Sequence, residues 1–408
     1  MKILWLCNVV LPRIAEDAGI SQKIHSAGWI EGFLNSLVQN DKIELGILCP
    51  YNKLHSGTFA NVKYWLCPSD MYCKVVSDFS PDILHVYGTE NEDWNRVIKH
   101  FGKPERTVVN IQGMMNLYGE VYLQGLPPEL SMKERLFEKY IGNSLIDQKQ
   151  SFEARGKIER DTLLNVGHVI GRTDIDKMFA TNINDRIKYH FCNEILRDEF
   201  YGSDKWSLNS VQIHSIMIRS TNNPIKGLYQ MLFAMSHIIK KYPDAMLYVV
   251  GNGVNIPQNA KQKITESSYS KLIRETTQKL GLEKHIQYCG TLTSKEMKDM
   301  YLKSHVAVSA SIIENESNFV SEAKILGVPV VSSYVGGVIN RIAHGKDGLL
   351  YPFNMPEMLA FYISNIFDDD GFANSISQNA IESQQKINDR TKNITRLNEI
   401  YNSIMNHK

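Results

Sequence analysis

The order of apolar segments is the feature that most constrains how this chain can fold. Apolar runs of strand length alternate with longer helical patterns, and this happens twice, on either side of a polar junction at 201–209 (YGSDKWSLN). Alternating strands and helices predict parallel sheets with helices on both faces. The 408 residues suit two domains of about 200 residues each. We therefore expect an α/β protein with two Rossmann-like, doubly wound domains facing a central cleft.

The periodicity also gives the bounds of the expected elements. In the first half it predicts strands at 3–10, 43–49, 62–66, 83–87, 108–111 and 168–170, and helices at 28–38, 131–166 and 185–200. In the second half it predicts strands at 211–218, 246–250, 286–288, 306–309, 328–331 and 349–351, and helices at 228–240, 268–280, 294–303, 320–326 and 355–367. Thr293 and Glu296 form a capping box, which predicts a helix start.

The expected domain bounds follow from these elements. An N-terminal, acceptor-side domain covers residues 1–203, and a C-terminal domain covers residues 204–385. The polar, helical tail at 386–408 exceeds what the second sheet needs. We expect this tail to pack back on the N-terminal domain.

Composition excludes several classes of protein. Lys and Arg total 45 against 44 for Asp and Glu, so the basic excess of a nucleic-acid-binding protein is missing. No apolar run is long enough to cross a bilayer. The six cysteines lack the spacing of a metal or redox motif, which favours free thiols in a reducing cytoplasm.

Residues 309–352 hold the most informative pattern for function. A strand ends in a polar loop with Glu314 and Glu316, and the following helix begins near Phe319 and carries Glu322. The next strand ends shortly before the pair Gly336-Gly337. Carboxylates accept hydrogen bonds from sugar hydroxyls, and helix-start amides beside glycine attract phosphate. The segment therefore predicts a site for a phosphate ester that carries polyols, with solvated loop acids and a plain turn as the alternative.

A second segment, 216–227 (IMIRSTNNPIKG), leads from a strand into a helix. Lys226 stands just before that helix, and Arg219 stands at the end of the strand. Their positive charge near a helix start suits an anionic ligand. Lys226-Gly227 alone is a weak signal, because a surface lysine is common at such a position.

The motifs around these residues resemble glycosyltransferase family 4. The resemblance rests on the spacing of Glu314 and Glu322, on 327–331 (GVPVV) and on Gly336-Gly337. Residues 224–227 (PIKG) and 81–88 (PDILHVYG) fit it as well. The resemblance implies the GT-B fold, a nucleotide-sugar donor, transfer with retention of anomeric configuration, and no required cofactor or metal.

The resemblance also implies roles for single residues. Glu322 would bind the ribose hydroxyls, Glu314 the hydroxyls of the transferred sugar, and Lys226 with Arg219 the diphosphate. Further donor-binding positions are Asn318, Phe319, Val320, Gly336, Gly337, Gly28 and Gly251.

Three residues of the N-terminal half complete the predicted site. His85 is a candidate catalytic residue, with a structural role in its buried strand as the alternative. Gln112 and Arg172 are candidates for the acceptor or sugar pocket, and an ordinary salt bridge is the alternative for Arg172.

The chain departs from the family pattern at several positions. The family often has Gly-Phe-Gly where this chain has Asn315-Glu316-Ser317. Gln112 stands where many relatives have a histidine, and Asn340 stands where an acid is common. The offset of seven residues between Arg219 and Lys226 is longer than usual. These changes predict either a retuned sugar pocket or weak catalysis.

Together these observations predict transfer of a sugar to a hydroxyl of a glycan or lipid-linked oligosaccharide, in surface polysaccharide synthesis. We expect the protein in the cytoplasm, with peripheral contact to the inner face of the membrane and no nucleic-acid partner. The Asp-x-Asp pattern at 368–370 is interpreted as a solvated turn, not a metal site. A nucleotide-sugar epimerase of the same fold and a non-catalytic nucleotide-sugar-binding protein remain as alternatives.

Overall fold

The computed structural model describes residues 1–21, 28–38, 40, 42–132, 136–220, 223–252, 254, 257 and 259–406. The chain forms two compact units. The first comprises Met1–Asn116, Ala154–Asp198 and Ile387–Lys408, and the second comprises Leu117–Glu153 and Glu199–Lys386. Residues 117–153 thus group with the second unit, although they belong to the N-terminal half of the sequence.

The elements from the N-terminus to residue 198 mix strands and helices. They are β1 (Lys2–Leu6), α1 (Pro12–Asp17), α2 (Gly28–Leu37), β2 (Glu44–Pro50), β3 (His55–Phe59), β4 (Val62–Cys67), α3 (Tyr72–Phe79), β5 (Ile83–Tyr87), α4 (Glu92–Phe101), β6 (Thr107–Asn110), α5 (Met115–Val121), α6 (Pro128–Met132), α7 (Leu136–Ile141), α8 (Leu145–Leu164), β7 (His168–Gly171), α9 (Asp174–Ile183) and β8 (Lys188–Phe191).

The first unit is built on an eight-stranded sheet of order β3-β4-β2-β1-β5-β6-β7-β8. All neighbouring strands are parallel except β3, which pairs antiparallel with β4. Strand β5 is buried along its whole length, as expected for a strand inside a parallel sheet that is covered on both faces. The strand order reverses between β1 and β5.

Two predicted helices in this region need correction, and strand β3 was not predicted. The helix predicted at 185–200 is wrong: Lys188–Phe191 forms β8, in parallel register with β7. The alternation of Ile187, Tyr189 and Phe191 has the period of a strand, and pairing at the sheet edge decides the structure. The single helix predicted at 131–166 is instead α6, α7 and α8, and Gly142 follows α7 in a left-handed conformation that suits a helix end. Strand β3 escaped prediction because an exposed edge strand carries no apolar run.

The second unit and the C-terminal tail follow in the same alternating pattern. Their elements are β9 (Gln212–Arg219), α10 (Leu228–Lys241), β10 (Met246–Val250), α11 (Ala260–Thr265), α12 (Ser268–Lys279), β11 (Ile286–Gly290), α13 (Ser294–Lys303), β12 (Ser304–Ser309), α14 (Asn318–Leu326), β13 (Val330–Ser333), β14 (Leu349–Tyr351), α15 (Pro356–Asp368), α16 (Asp370–Ile387) and α17 (Arg390–Asn406).

The sheet of the second unit is parallel throughout, with the order β11-β10-β9-β12-β13-β14. The predicted capping box at the start of α13 is confirmed, because Thr293 accepts from the Glu296 amide and Glu296 accepts from the Thr293 amide. The strand order reverses between β9 and β12. In doubly wound sheets, ligands bind beyond the carboxyl ends of the strands at such a reversal.

Hydrogen bonds explain why the C-terminal helix α17 groups with the first unit and why residues 117–153 group with the second. In the first unit, the Trp5 indole donates to the Tyr401 hydroxyl on α17 at 2.9 Å. In the second unit, the Gln230 amide donates to the Gly125 carbonyl at 3.1 Å, and Glu138 accepts from the Ser268 amide at 2.8 Å. No helix in the described part of the chain is long and apolar enough to cross a membrane.

Candidate donor-binding site

Lys226 and Glu314 meet at the carboxyl edge of the second sheet, beside the reversal between β9 and β12. Lys226 ends a short 3₁₀ turn after β9, and the Asn223 side chain caps this turn by accepting from the Ile225 amide. Glu314 lies in the loop after β12. The Lys226 ammonium donates to Oε1 of Glu314 at 2.5 Å, although 88 residues separate them. The predicted cation and carboxylate are therefore brought together.

The two side chains of this pair differ in their access to solvent. Lys226 is about one-third exposed (32%), whereas Glu314 is 8% exposed. The Ser311 hydroxyl also donates to Oε1 of Glu314, at 2.7 Å. The lysine can thus reach a ligand from solvent while the carboxylate is held firmly against the protein.

Glycines permit the close backbone contacts that hold these loops together. Gly227 has a φ of +71°, and a Cβ there would collide with the carbonyl of Ala310. Gly336 has a φ of +51°, and a Cβ there would collide with the carbonyl of Glu314. The Gly337 amide donates to that same carbonyl at 3.0 Å. The loops after β9, β12 and β13 therefore converge on one edge of the sheet, as predicted from the strand ends.

Glu322 lies on α14, the helix that directly follows the Glu314 loop. It is buried, and its Oε2 accepts a hydrogen bond from the Tyr301 hydroxyl at 3.3 Å. The same hydroxyl lies 3.0 Å from the Phe319 carbonyl, so its single hydrogen is shared between the two acceptors. Asn318, Phe319 and Val320 form the first turn of α14, as expected, and amides of a first helical turn have no partner within the helix.

Arg219 and Gly251 lie at the same sheet edge. Arg219 is the exposed last residue of β9 and is in register with Val250 of β10. Gly251 follows β10 with a φ of +119°, and a Cβ there would collide with the Ser220 carbonyl. Both residues thus lie at the carboxyl edge of the sheet.

The predicted site residues of the first unit have a different environment. His85 is buried within β5, where Nδ1 contacts the Tyr401 hydroxyl at 2.6 Å and the ring stacks on Tyr87. Burial lowers the pKa of His85 to about 3. This environment agrees with the structural role that the sequence left open as the alternative for His85.

Arg172, Gln112 and Gly28 also lie in the first unit. Arg172 follows β7 and forms a buried ion pair with Glu194. Its guanidinium also donates to the Ile111 carbonyl at 3.2 Å, next to half-buried Gln112. Gly28 opens α2, where a Cβ would contact the Arg197 side chain. The ordinary salt bridge expected as the alternative for Arg172 is therefore present.

Sequence reasoning missed two residues that contact the predicted site residues. Tyr301 and Ser311 hold Glu322 and Glu314, respectively, through hydroxyl groups. In the sequence, only their positions could have indicated these contacts. Ser311 lies in the loop after β12, and Tyr301 lies near the end of α13.

The acidic run at 368–370 contacts a lysine and a tyrosine. Asp368 pairs with Lys241 and accepts from the Tyr242 hydroxyl at 2.7 Å. Within the described ranges, no group of three or more His, Cys, Asp or Glu side chains is arranged to hold a metal ion.

A family model matches the region that contains this geometry. Residues 214–383 match the model described as glycosyl transferases group 1. This range includes Lys226, Glu314 and Glu322, but it covers less than half of the chain.

Curated relatives match a similar part of the sequence. The D-inositol 3-phosphate glycosyltransferase of Corynebacterium glutamicum (strain R) is 27% identical over 159 residues, which are 39% of this chain and 36% of that protein. An uncharacterized glycosyltransferase of Methanocaldococcus jannaschii, MJ1607, is 28% identical over 156 residues, 38% of this chain and 36% of that one. The chain thus spans about a third of the length of the curated relatives it matches.

Solved structures resemble the whole chain. Sucrose-phosphate synthase from Thermosynechococcus elongatus has a TM-score of 0.72 at 14% identity, and the match covers 99% of this chain and 98% of the synthase chain. Anabaena HepE, solved in complex with UDP-glucose, has a TM-score of 0.66 at 14% identity, and the match covers 99% of this chain and 100% of the HepE chain. The comparisons confirm the predicted GT-B fold of two Rossmann-like domains, and they identify residues 214–383 as a match to glycosyl transferases group 1.

Proposed function

We propose that this protein is a retaining glycosyltransferase of the family 4 type, which moves a sugar from a nucleotide sugar to an acceptor hydroxyl. The observation that carries the proposal is the contact between Lys226 and Glu314 at the strand-order reversal, with Glu322 on the helix that follows. The match of residues 214–383 to glycosyl transferases group 1 supports it. HepE, a structural neighbour, was solved with UDP and with UDP-glucose, which makes these compounds natural first probes.

Lys226 would stabilise the leaving group. When the bond between the anomeric carbon and the phosphate oxygen breaks, the electron pair stays on that oxygen and negative charge builds on the nucleoside diphosphate. An ammonium group has three N–H donors, so Lys226 can keep its contact with Glu314 and still donate to a phosphate oxygen. A fixed positive charge aimed at a developing negative charge lowers the barrier.

Glu314 would orient the transferred sugar. Among the described residues, its side-chain contacts with Lys226 and Ser311 both use Oε1. Oε2 is therefore the atom that would accept a hydrogen bond from a sugar hydroxyl. The acceptor oxygen would attack the anomeric carbon on the face that the diphosphate leaves, and the acceptor proton would pass to the departing phosphate.

Nucleotide and acceptor complete the proposal. Glu322 would accept hydrogen bonds from the ribose hydroxyls, and first-turn amides of α14 would approach the distal phosphate. The acceptor would be a glycan or lipid-linked oligosaccharide of a surface polysaccharide, handled at the inner face of the membrane. The nucleotide sugar would be the donor substrate, with no further cofactor or metal required.

A binding panel followed by a turnover assay tests this function. Nucleoside diphosphates and nucleotide sugars are screened by thermal shift, because a ligand that binds the folded state raises the melting temperature. Each donor that binds is then incubated with and without acceptor glycans. Transfer that requires an acceptor supports the proposal, whereas a sugar changed without acceptor indicates an epimerase. A thermal shift with no turnover for any donor and acceptor indicates a binding protein.

A further inference from the structure

A second buried ion pair borders the loop that carries Glu314. Oε1 of Glu316 lies 2.8 Å from Nε of Arg341, and the two side chains are only 2% and 3% exposed. Glu316 is two residues from Glu314, and Arg341 directly follows the turn Gly336–Asn340. The pair therefore connects the loop after β12 with the segment after β13.

Arg341 is itself fixed to the framework of the second unit. Its amide donates to the Val338 carbonyl at 2.8 Å, and its carbonyl accepts from the fully buried Lys324 ammonium. Lys324 lies on α14, the helix of Glu322, and pairs with Asp347 at 2.9 Å. Two buried ion pairs, joined by the hydrogen bond from Lys324 to the Arg341 carbonyl, thus link the Glu314 loop to the helix that carries Glu322.

Electrostatics gives this pair two consequences. Removing two charges from water is unfavourable, so a buried ion pair is a weak source of stability, but separating its partners leaves an uncompensated buried charge. Breaking the contact is therefore costly, which ties the loop of Glu316 to Arg341. The pair also neutralises the Glu316 carboxylate, which would otherwise place a second negative charge beside the site of an anionic donor.

We propose that Glu316 and Arg341 are positioning residues for sugar transfer. They hold residues 314–317 so that Oε2 of Glu314 and the first turn of α14 face the transferred sugar. This chain has Glu316 where the family often has the phenylalanine of Gly-Phe-Gly. The glutamate is then compatible with full activity, because Arg341 compensates the negative charge of its carboxylate. This inference rests on the function proposed above and concerns the sugar half of the donor, not the nucleotide half.

The test compares Glu316→Gln, Arg341→Gln and the double variant with a matched control, Glu266→Gln. Glu266 is also buried in the second unit and pairs with Arg274 at 2.8 and 3.0 Å, but it lies between α11 and α12. Four quantities are measured for each protein: the melting temperature, kcat, the Kd of UDP and the Kd of UDP-glucose.

For Glu316→Gln we expect kcat to fall at least tenfold while the Kd of UDP changes less than threefold. The affinity difference between UDP-glucose and UDP should also shrink, because the sugar is no longer aligned. Hydrogen–deuterium exchange should rise in the peptide that spans 311–320. The control should lower the melting temperature without changing kcat or the sugar-dependent affinity. A normal kcat in Glu316→Gln and in the double variant would overturn the inference.

Two further comparisons keep the test decisive. If Glu316→Gln does not fold, Glu316→Asp and Arg341→Lys retain both charges but shift the contact, and reduced kcat at normal UDP affinity is again expected. If the wild-type protein transfers no sugar from any donor, the proposed function fails. The positioning role is then judged on UDP-glucose affinity and amide exchange alone, and unchanged values for both would contradict it.

Discussion

The two units contain the same kind of parallel sheet, but the charged residues near the carboxyl edges of these sheets are held in different ways. In the second unit, Lys226 is about one-third exposed and contacts Glu314 from a neighbouring loop. In the first unit, Arg172 is buried and its charge is matched by Glu194. A strand-end position therefore identifies a candidate, whereas solvent access and the protein partner show whether its charge can meet a ligand or is already matched inside the protein.

The largest expected effect is on stability and concerns the first unit. Arg172→Met should destabilise the protein by about 3–5 kcal/mol, because Glu194 is left as an uncompensated buried charge. Denaturant unfolding measures this change. The Kd of UDP, measured below the unfolding transition, should stay within threefold of wild type. A loss of UDP affinity at nearly normal stability would make Arg172 a ligand-binding residue and would remove the difference between the two units.

Lys226→Ala should lower kcat by about 10²-fold or more, because the leaving diphosphate loses its cation. Steady-state kinetics with a donor found by the binding panel measures this loss. Lys240→Ala, at an exposed position near the end of α10, is the matched control and should behave like wild type. A near-normal rate in Lys226→Ala would remove this lysine from the mechanism.

The buried side chain of His85 should make the stability of the protein depend on pH. Its pKa is lowered in the folded protein to about 3, mainly by burial, from an ordinary value of 6.5. The unfolded chain therefore binds a proton before the folded protein does, and stability falls as the pH drops below about 6.5. Between pH 6.5 and 5, this residue should lower the free energy of unfolding by about 2 kcal/mol.

The pH effect can be isolated with His85→Phe. Unfolding of wild type and variant at several pH values should show a flatter pH dependence for the variant, with kcat within threefold at pH 7. A variant that unfolds with the wild-type pH dependence and loses turnover would instead support the catalytic role predicted from the sequence.

The smallest expected effect concerns nucleotide affinity. Glu322→Ala should weaken UDP binding about tenfold, because the ribose hydroxyls lose a charged acceptor. Calorimetry measures the Kd, and Glu283→Ala at an exposed position is the control. Equal affinities for the two variants would argue against ribose binding by Glu322.

The sequence predicted the second unit better than the first, for physical reasons. Strands β12 and β13 are buried along their whole length, and the loops that follow them carry the carboxylates and glycines that are visible in the sequence. Strand β3 is polar and exposed, and β8 is stabilised by pairing with β7, so neither gave a comparable signal. Local periodicity does not record pairing between distant segments.

The same distinction applies to single residues of the site. The spacing of Glu314 and Glu322 and the glycines at 227 and 336 are local features, and they predicted where the loops converge. The partners of these residues depend on tertiary structure. No local pattern indicated that Tyr301 holds Glu322, that Arg341 neutralises Glu316, or that Tyr401 holds His85.

We propose above all that the second unit binds an activated sugar nucleotide at the reversal between β9 and β12. A crystal structure with bound UDP tests this most directly. We expect a diphosphate oxygen within hydrogen-bond distance of Lys226 Nζ and ribose hydroxyls within hydrogen-bond distance of the Glu322 carboxylate. Clear density for UDP at another surface, with Lys226 and Glu314 unchanged and without ligand, would contradict it.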